Sequence, residues 1–290
     1  MTKQEFRELA ERGTIFLDGA TGSNLRSAGM PVGVSPELWV LEHPEVLLEL
    51  QRGYVEAGSM VVMAPTFSAN RLGLKGFGLE GRLGELNARL VALSKEAAGG
   101  KALVAGDLST MGRPLEPVGD MAYGEAYDVY REQMEVLAEA GADLLAVETL
   151  MGTDEALAAL DAAAGLDLPV LVSFSVEADG GVMFGGTAWE AAVMAQEMGA
   201  SAVGVNCSVG PDQLESVIRA VRAAVEIPVI AKPNAGLPVM DEAGQAHYSM
   251  GSGEFAGYTC ILAEAGAGVL GGCCGTTPDY IRQLKEALNG

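Results

Sequence analysis

Histidine is almost missing from this 290-residue chain, His43 and His247 being the only two. A histidine-rich metal site or a Ser-His-Asp triad therefore has little to draw on. Cations are scarce as well. Eighteen Lys and Arg stand against 39 Asp and Glu, a formal net charge of −21. Such a field repels a phosphate backbone and argues against a nucleic-acid partner. No run approaches the roughly 18–20 apolar residues that a bilayer span needs, so no membrane-spanning helix is expected. The opening stretch Met1-Thr2-Lys3-Gln4-Glu5-Phe6-Arg7-Glu8-Leu9 reads as a charged amphipathic helix, not as the apolar centre of a signal peptide. Four cysteines, two of them adjacent, do not make a secreted disulfide framework. The compartment expected is the cytoplasm, where clustered cysteines point to metal or catalysis.

What the chain does have is a repeated junction. Glu56-Ala57-Gly58, Glu139-Ala140-Gly141, Glu197-Met198-Gly199 and Glu264-Ala265-Gly266 each close an amphipathic stretch and precede a short apolar run. Glycine there takes the left-handed position that ends a helix, and a buried strand follows. Eight apolar runs predict strands over 14–17, 60–65, 102–106, 144–148, 170–174, 202–206, 228–231 and 268–271. Helices are expected between them over 45–57, 125–140, 188–198, 212–225 and 253–265, with Pro211 and Pro278 at helix starts. Strands apolar on both faces, alternating with helices, form an all-parallel sheet. Eight such units close an α/β fold of the (β/α)8 TIM-barrel type, and with no linker in sight residues 1–290 read as one domain.

In such a barrel the chemistry collects where strands end. Those places carry Asp18, Thr66, Asp107, Glu148, Ser175, Asn206-Cys207-Ser208, Lys232-Pro233-Asn234 and Cys273-Cys274. Cys207 follows the sixth strand, and Cys273 and Cys274 follow the eighth. Three thiolates at one mouth can hold Zn2+ with a fourth position open, the pattern of a catalytic site, and their softness favours zinc over magnesium or calcium. The plain alternative, a small buried hydrophobe, suits Cys260 inside the apolar helix stretch Tyr258-Thr259-Cys260-Ile261-Leu262. Asn234, between the two cysteine-bearing strands, either offers its amide oxygen as a displaceable fourth ligand or only shapes its turn.

Asp18-Gly19-Ala20-Thr21-Gly22, Val205-Asn206-Cys207-Ser208, Pro233-Asn234-Ala235-Gly236 and Gly271-Gly272-Cys273-Cys274-Gly275-Thr276-Thr277-Pro278 together resemble the homocysteine S-methyltransferase family. The likeness runs the full length and is strongest to the amino-terminal homocysteine-binding barrel of cobalamin-dependent methionine synthases. It implies zinc-dependent methyl transfer to homocysteine, with Cys207, Cys273 and Cys274 as zinc ligands and catalytic residues. It also supports Asp18 and Glu148 as holders of the substrate ammonium, and the backbone amides of Gly19 and Ala20 as holders of its carboxylate. Thr66 and Asn206 are further candidate substrate contacts.

The methyl donor is a separate question. Betaine-using relatives place aromatic side chains where Val34 and Ser68 stand here, and without such a cage a quaternary ammonium loses its cation–π hold. Methylcobalamin on a corrinoid-binding partner, or on a domain beyond this chain, is the donor the likeness favours. S-methylmethionine or S-adenosylmethionine is the alternative. Two other readings stay open: a thiol-binding zinc module without turnover, and a Schiff-base lyase built on Lys232.

Overall fold

Strands form where the apolar runs predict them: β1 (Ile15–Phe16), β2 (Val61–Met63), β3 (Leu103–Ser109), β4 (Leu144–Leu150), β5 (Val170–Phe174), β6 (Ala202–Cys207), β7 (Val229–Pro233) and β8 (Ala267–Leu270). The computed structural model describes residues 1–240 and 246–290. All pairings among these strands are parallel, in the order β1-β8-β7-β6-β5-β4-β3-β2.

No ladder joins β1 to β2, and three other bonds close the ring there. Met60 N–H donates to Phe16 O at 2.7 Å, and the Ser59 hydroxyl donates to Leu17 O at 3.1 Å. Met63 N–H donates to the Asp18 carboxylate at 2.8 Å. The result is the expected barrel, closed at its seam in part by two side chains.

Successive strand residues point to opposite faces, and the two faces build two cores. Ile15, Leu17, Val61, Met63, Ala105, Leu144, Ala146, Leu171, Ala202, Ile230 and Val269 fill the barrel interior. Their neighbours Val62, Val104, Leu145, Val172, Val203 and Leu270 pack outward against the surrounding helices. Helix Lys3–Glu11, opened by a capping box of Thr2 and Glu5, lays Phe6 onto the interior cluster from the strand-start end. The recurring junction glycines Gly58, Gly141, Gly199 and Gly266 all have positive φ, between 86° and 112°, as their helix-ending role requires.

Four strands run past their apolar stretch. Strands β3, β4, β6 and β7 reach Ser109, Leu150, Cys207 and Pro233, so Asp107, Cys207 and Lys232 lie on strands and not in loops. Strands β1 and β2 are shorter than expected, and the stretch 212–225 divides into a 3-10 turn, Pro211–Gln213, and a helix, Glu215–Ala224. Among the described residues no helix is long and apolar enough to cross a membrane.

Gly204 on β6 lies so close to β7 that a Cβ would stand 2.0 Å from Ile230 O. Backbone cannot retreat as a flexible side chain can. Gly204→Ala is therefore expected to lower the thermal midpoint by several degrees, read by circular dichroism; an unchanged midpoint would show that the two strands can part.

Candidate active site

The inward positions that carry apolar side chains in the barrel interior carry charge one step nearer the mouth. Ala105 is followed two residues on by Asp107, Ala146 by Glu148 and Ile230 by Lys232. Asp18 follows β1 directly. All four are buried, at 6%, 7%, 4% and 0% exposure for Asp107, Glu148, Lys232 and Asp18. Lys232 Nζ reaches across from β7 to β4 and donates to both Glu148 oxygens, at 2.8 and 3.2 Å. Three carboxylates thus face a single ammonium.

Burial pushes the carboxyls up, because the charged form loses its water. Asp18 rises to about 7, mainly through burial and against the pull of Lys232 and the Met63 amide. Asp107 rises well above the usual range through burial and the neighbouring Glu148. Glu148 also rises with burial, against Lys232. Lys232 is held well above the ordinary lysine range by Glu148 and the other anions, despite its burial. A protonated, ion-paired amine is not a nucleophile, so the Schiff-base reading loses its central residue. One oxygen each of Asp18 and Asp107, and the Asn234 amide oxygen, are buried without a hydrogen-bond partner. Unpartnered buried acceptors are costly unless a ligand meets them.

The three cysteines are brought together. The Sγ atoms of Cys207, Cys273 and Cys274 all lie within 4.8 Å of one another, and among the described residues no other group meets that spacing. None is in a disulfide. Hydrogen bonds among the three hold Cys274 low, while those to Cys273 and Cys274 push Cys207 up.

Backbone conformation aims them. Cys207 and Ser208 take left-handed φ of 59° and 61°, a region that residues with a Cβ enter rarely. The Ser208 hydroxyl secures that bend, accepting from Val176 N–H at 2.9 Å and bonding Ser175 Oγ at 2.5 Å. Across the mouth Cys273 N–H donates to Pro233 O at 2.7 Å, Ala235 N–H to Cys274 O at 2.9 Å and Asn234 N–H to Val209 O at 3.1 Å. The ends of β6, β7 and β8 are thereby sewn together with Asn234 in the middle.

Other expected contacts have structural duties. The Asn206 amide oxygen accepts from Thr149 N–H and Ser173 Oγ, each at 2.8 Å, and its nitrogen donates to Thr149 Oγ1 at 2.8 Å. Thr66 Oγ1 donates to Asp107 O at 2.8 Å and accepts from Asp107 N–H at 3.0 Å. Both side chains therefore brace strand ends, and Thr66, fully buried, has its hydroxyl committed. Of the two amides expected to take a carboxylate, Ala20 N–H is already given to Thr276 Oγ1 at 3.1 Å. That hydroxyl donates in turn to Cys273 O at 2.7 Å, so Thr276 ties the Asp18–Ala20 loop to the cysteine loop. At Gly19 a Cβ would stand 2.6 Å from Thr276 Oγ1 and 2.7 Å from the Tyr54 hydroxyl; only glycine lets the loop pass.

Sequence reasoning placed Asp107 and Lys232 at strand ends and Thr276 in the last motif, but gave none of them a part in the homocysteine site. The first two carry a readable signal, a charged residue two positions beyond an inward apolar one. Thr276 carries none that spacing reveals. Cys260 sits half-buried on helix Ser252–Glu264, packed on the outer core and outside the cysteine cluster. Cys260→Ala is expected to leave metal content and activity within about twofold; metal lost from this variant alone would misplace the centre.

The homocysteine S-methyltransferase family profile matches residues 15–288. The chain is 31% identical to the methionine synthase of Mycobacterium leprae over 93% of its own length and 24% of that protein's. It is 29% identical to homocysteine S-methyltransferase 3 of Zea mays, over 97% of the chain and 91% of the plant protein. The chain thus spans about a quarter of the mycobacterial relative and nearly all of the plant one. Its fold matches the metallated form of the homocysteine methyltransferase MmuM from Escherichia coli with a TM-score of 0.81, at 24% identity, over 97% of this chain and 99% of that one. With the profile covering almost every residue, the chain belongs to the homocysteine S-methyltransferase family.

Proposed function

We propose that this chain transfers a methyl group to the sulfur of homocysteine, giving methionine, with zinc held by Cys207, Cys273 and Cys274. The observation that carries the reading is three clustered thiols at the same mouth as buried carboxylates, two of which have an oxygen without a hydrogen-bond partner. Zinc fits this set because it favours sulfur ligands and accepts a displaceable oxygen, which the unpartnered Asn234 oxygen can supply. When bound, zinc lowers the pKa of an arriving thiol, so that homocysteine is held as its thiolate. The remaining work falls to the protein. Asp18 and Glu148 face the α-ammonium, and the Lys232 pair keeps Glu148 charged and aimed. The thiolate lone pair forms the new carbon–sulfur bond while the bond between methyl and donor breaks, its electron pair leaving with the donor. The thiol proton is released to water as the sulfur is bound, so the transfer itself requires no general base.

A methylated corrinoid on a separate protein or domain is the proposed donor. The likeness to one quarter of a methionine synthase supports it, since the remainder of such a protein lies outside the matched region. A small donor such as S-methylmethionine or S-adenosylmethionine is the second reading, favoured by the near-complete match to the plant enzyme. The test is methionine formation by zinc-loaded protein from homocysteine and each donor in turn. Turnover with methylcobalamin is expected. Turnover with a sulfonium donor alone moves the assignment to the second reading. Methionine from no donor, with homocysteine still bound, leaves a thiol-binding zinc module and overturns the transferase proposal.

A further inference from the structure

Glu148 is the carboxylate with the least capacity to spare, since each of its oxygens already accepts from Lys232. Asp107 is in the opposite position. Its strand places it inward, its main-chain N–H and C=O are both engaged by Thr66 Oγ1, and its carboxylate makes no hydrogen bond among the described residues. The side chain is 6% exposed and Oδ1 is fully buried. Asp18 repeats the pattern, with one oxygen on Met63 N–H and the other unpartnered. Three buried carboxylates against one lysine leave the chamber short of positive charge. A buried carboxylate without a partner is strongly disfavoured in its charged form, and a cation that brings donors relieves that cost. A bare divalent ion does not suit these groups, because among the described residues only the cysteines bring three ligand atoms within 4.8 Å. A primary ammonium does suit them, having three directional donors that different acceptors can share.

The geometry points to Asp107 as a substrate-binding residue that, with Asp18, takes the α-ammonium of the amino-acid thiol and so selects it over thiols that lack an amine. This rests on the reading of the mouth as a homocysteine site and adds a third carboxylate to the two expected there. Lys232 then has a defined part: it offsets and aims Glu148, so that of the three carboxylates facing an incoming cation Asp18 and Asp107 have the most acceptor capacity to give.

The test compares Asp107→Asn with the parent protein, zinc-loaded, on homocysteine and on 4-mercaptobutyrate, which keeps the thiol and carboxylate but has no amine. Asp107→Asn is expected to raise KM for homocysteine ten- to hundredfold, with kcat within about threefold and zinc content unchanged. For 4-mercaptobutyrate kcat/KM should stay level or improve, so the preference for the amine collapses. Homocysteine affinity by calorimetry should fall by the same factor as KM rises. Asp107→Ser is the second variant, should the asparagine fail to fold. Equal losses on both thiols would assign Asp107 a purely structural role and overturn the proposal, as would an unchanged KM for homocysteine. A parent protein that binds no homocysteine overturns both this assignment and the reading beneath it, whereas a parent that binds and turns over homocysteine confines any failure to Asp107.

Discussion

Cys207→Ala, Cys273→Ala and Cys274→Ala are each expected to lose bound zinc and methyl transfer together. The three sulfurs form one cluster, and removing any one leaves two anionic donors where a catalytic zinc site uses three protein ligands. Loss of groups that merely support a ligand costs roughly 10–100-fold in metal affinity or activity; loss of a ligand should exceed that and reach background. The two segments that carry them are also joined through the end of β7, by the Cys273–Pro233, Ala235–Cys274 and Asn234–Val209 backbone bonds, so the variants should fold. Elemental analysis of protein prepared without chelator should find about one zinc in the parent and none in the variants. Full activity in any of the three would end the metal reading.

Asp18→Asn is expected to bind homocysteine one to two decades more weakly and yet to melt higher than the parent at pH 8. The weaker binding follows from loss of a charge-assisted contact, worth roughly 1.5–3 kcal/mol. The higher melting follows from linkage. Burial raises the Asp18 carboxyl from its ordinary 3.8 to about 7, so the folded chain holds this proton more tightly than the unfolded chain. Its contribution to stability is then fully present below pH 4 and is lost as pH rises through 7. Each unit corresponds to about 1.4 kcal/mol, so the penalty above pH 7 is of the order of a few kcal/mol. Asparagine removes the charge and keeps an oxygen for the Met63 amide. The two melting curves should converge near pH 4. A variant that melts below the parent at pH 8 would show that the ionised Asp18 is already compensated within the fold.

Most of the barrel was legible because its strands are apolar on both faces and its helices end on glycine. The residues 170–174 were read to the residue, since nothing polar interrupts Val170–Phe174. Legibility failed at the mouth. Strands β3, β4, β6 and β7 continue through Asp107, Thr149, Cys207 and Lys232, where an apolar count stops but the backbone ladder does not. Lys232 can stay in a buried sheet because it and Glu148 satisfy one another across it. Such pairings depend on three-dimensional closure and leave no trace in spacing. Asn206 and Thr66 were found by position, but their bracing bonds to Thr149, Ser173 and Asp107 appear only in the folded chain. The left-handed bend at Cys207 and Ser208 was equally hidden, since neither residue type announces it.

Met63 N–H is tied to a carboxylate and not to a neighbouring strand. If the substrate ammonium meets the free oxygen of Asp18 as proposed, it fixes the rotamer of the same group, and the joint between β1 and β2 is expected to tighten as the mouth fills. Deuterium uptake at the Met63 amide should then slow on addition of homocysteine, while amides of the β5–β6 ladder stay unchanged. The barrel thus carries its own backbone reporter of occupancy, one that needs no methyl donor and no turnover to be read.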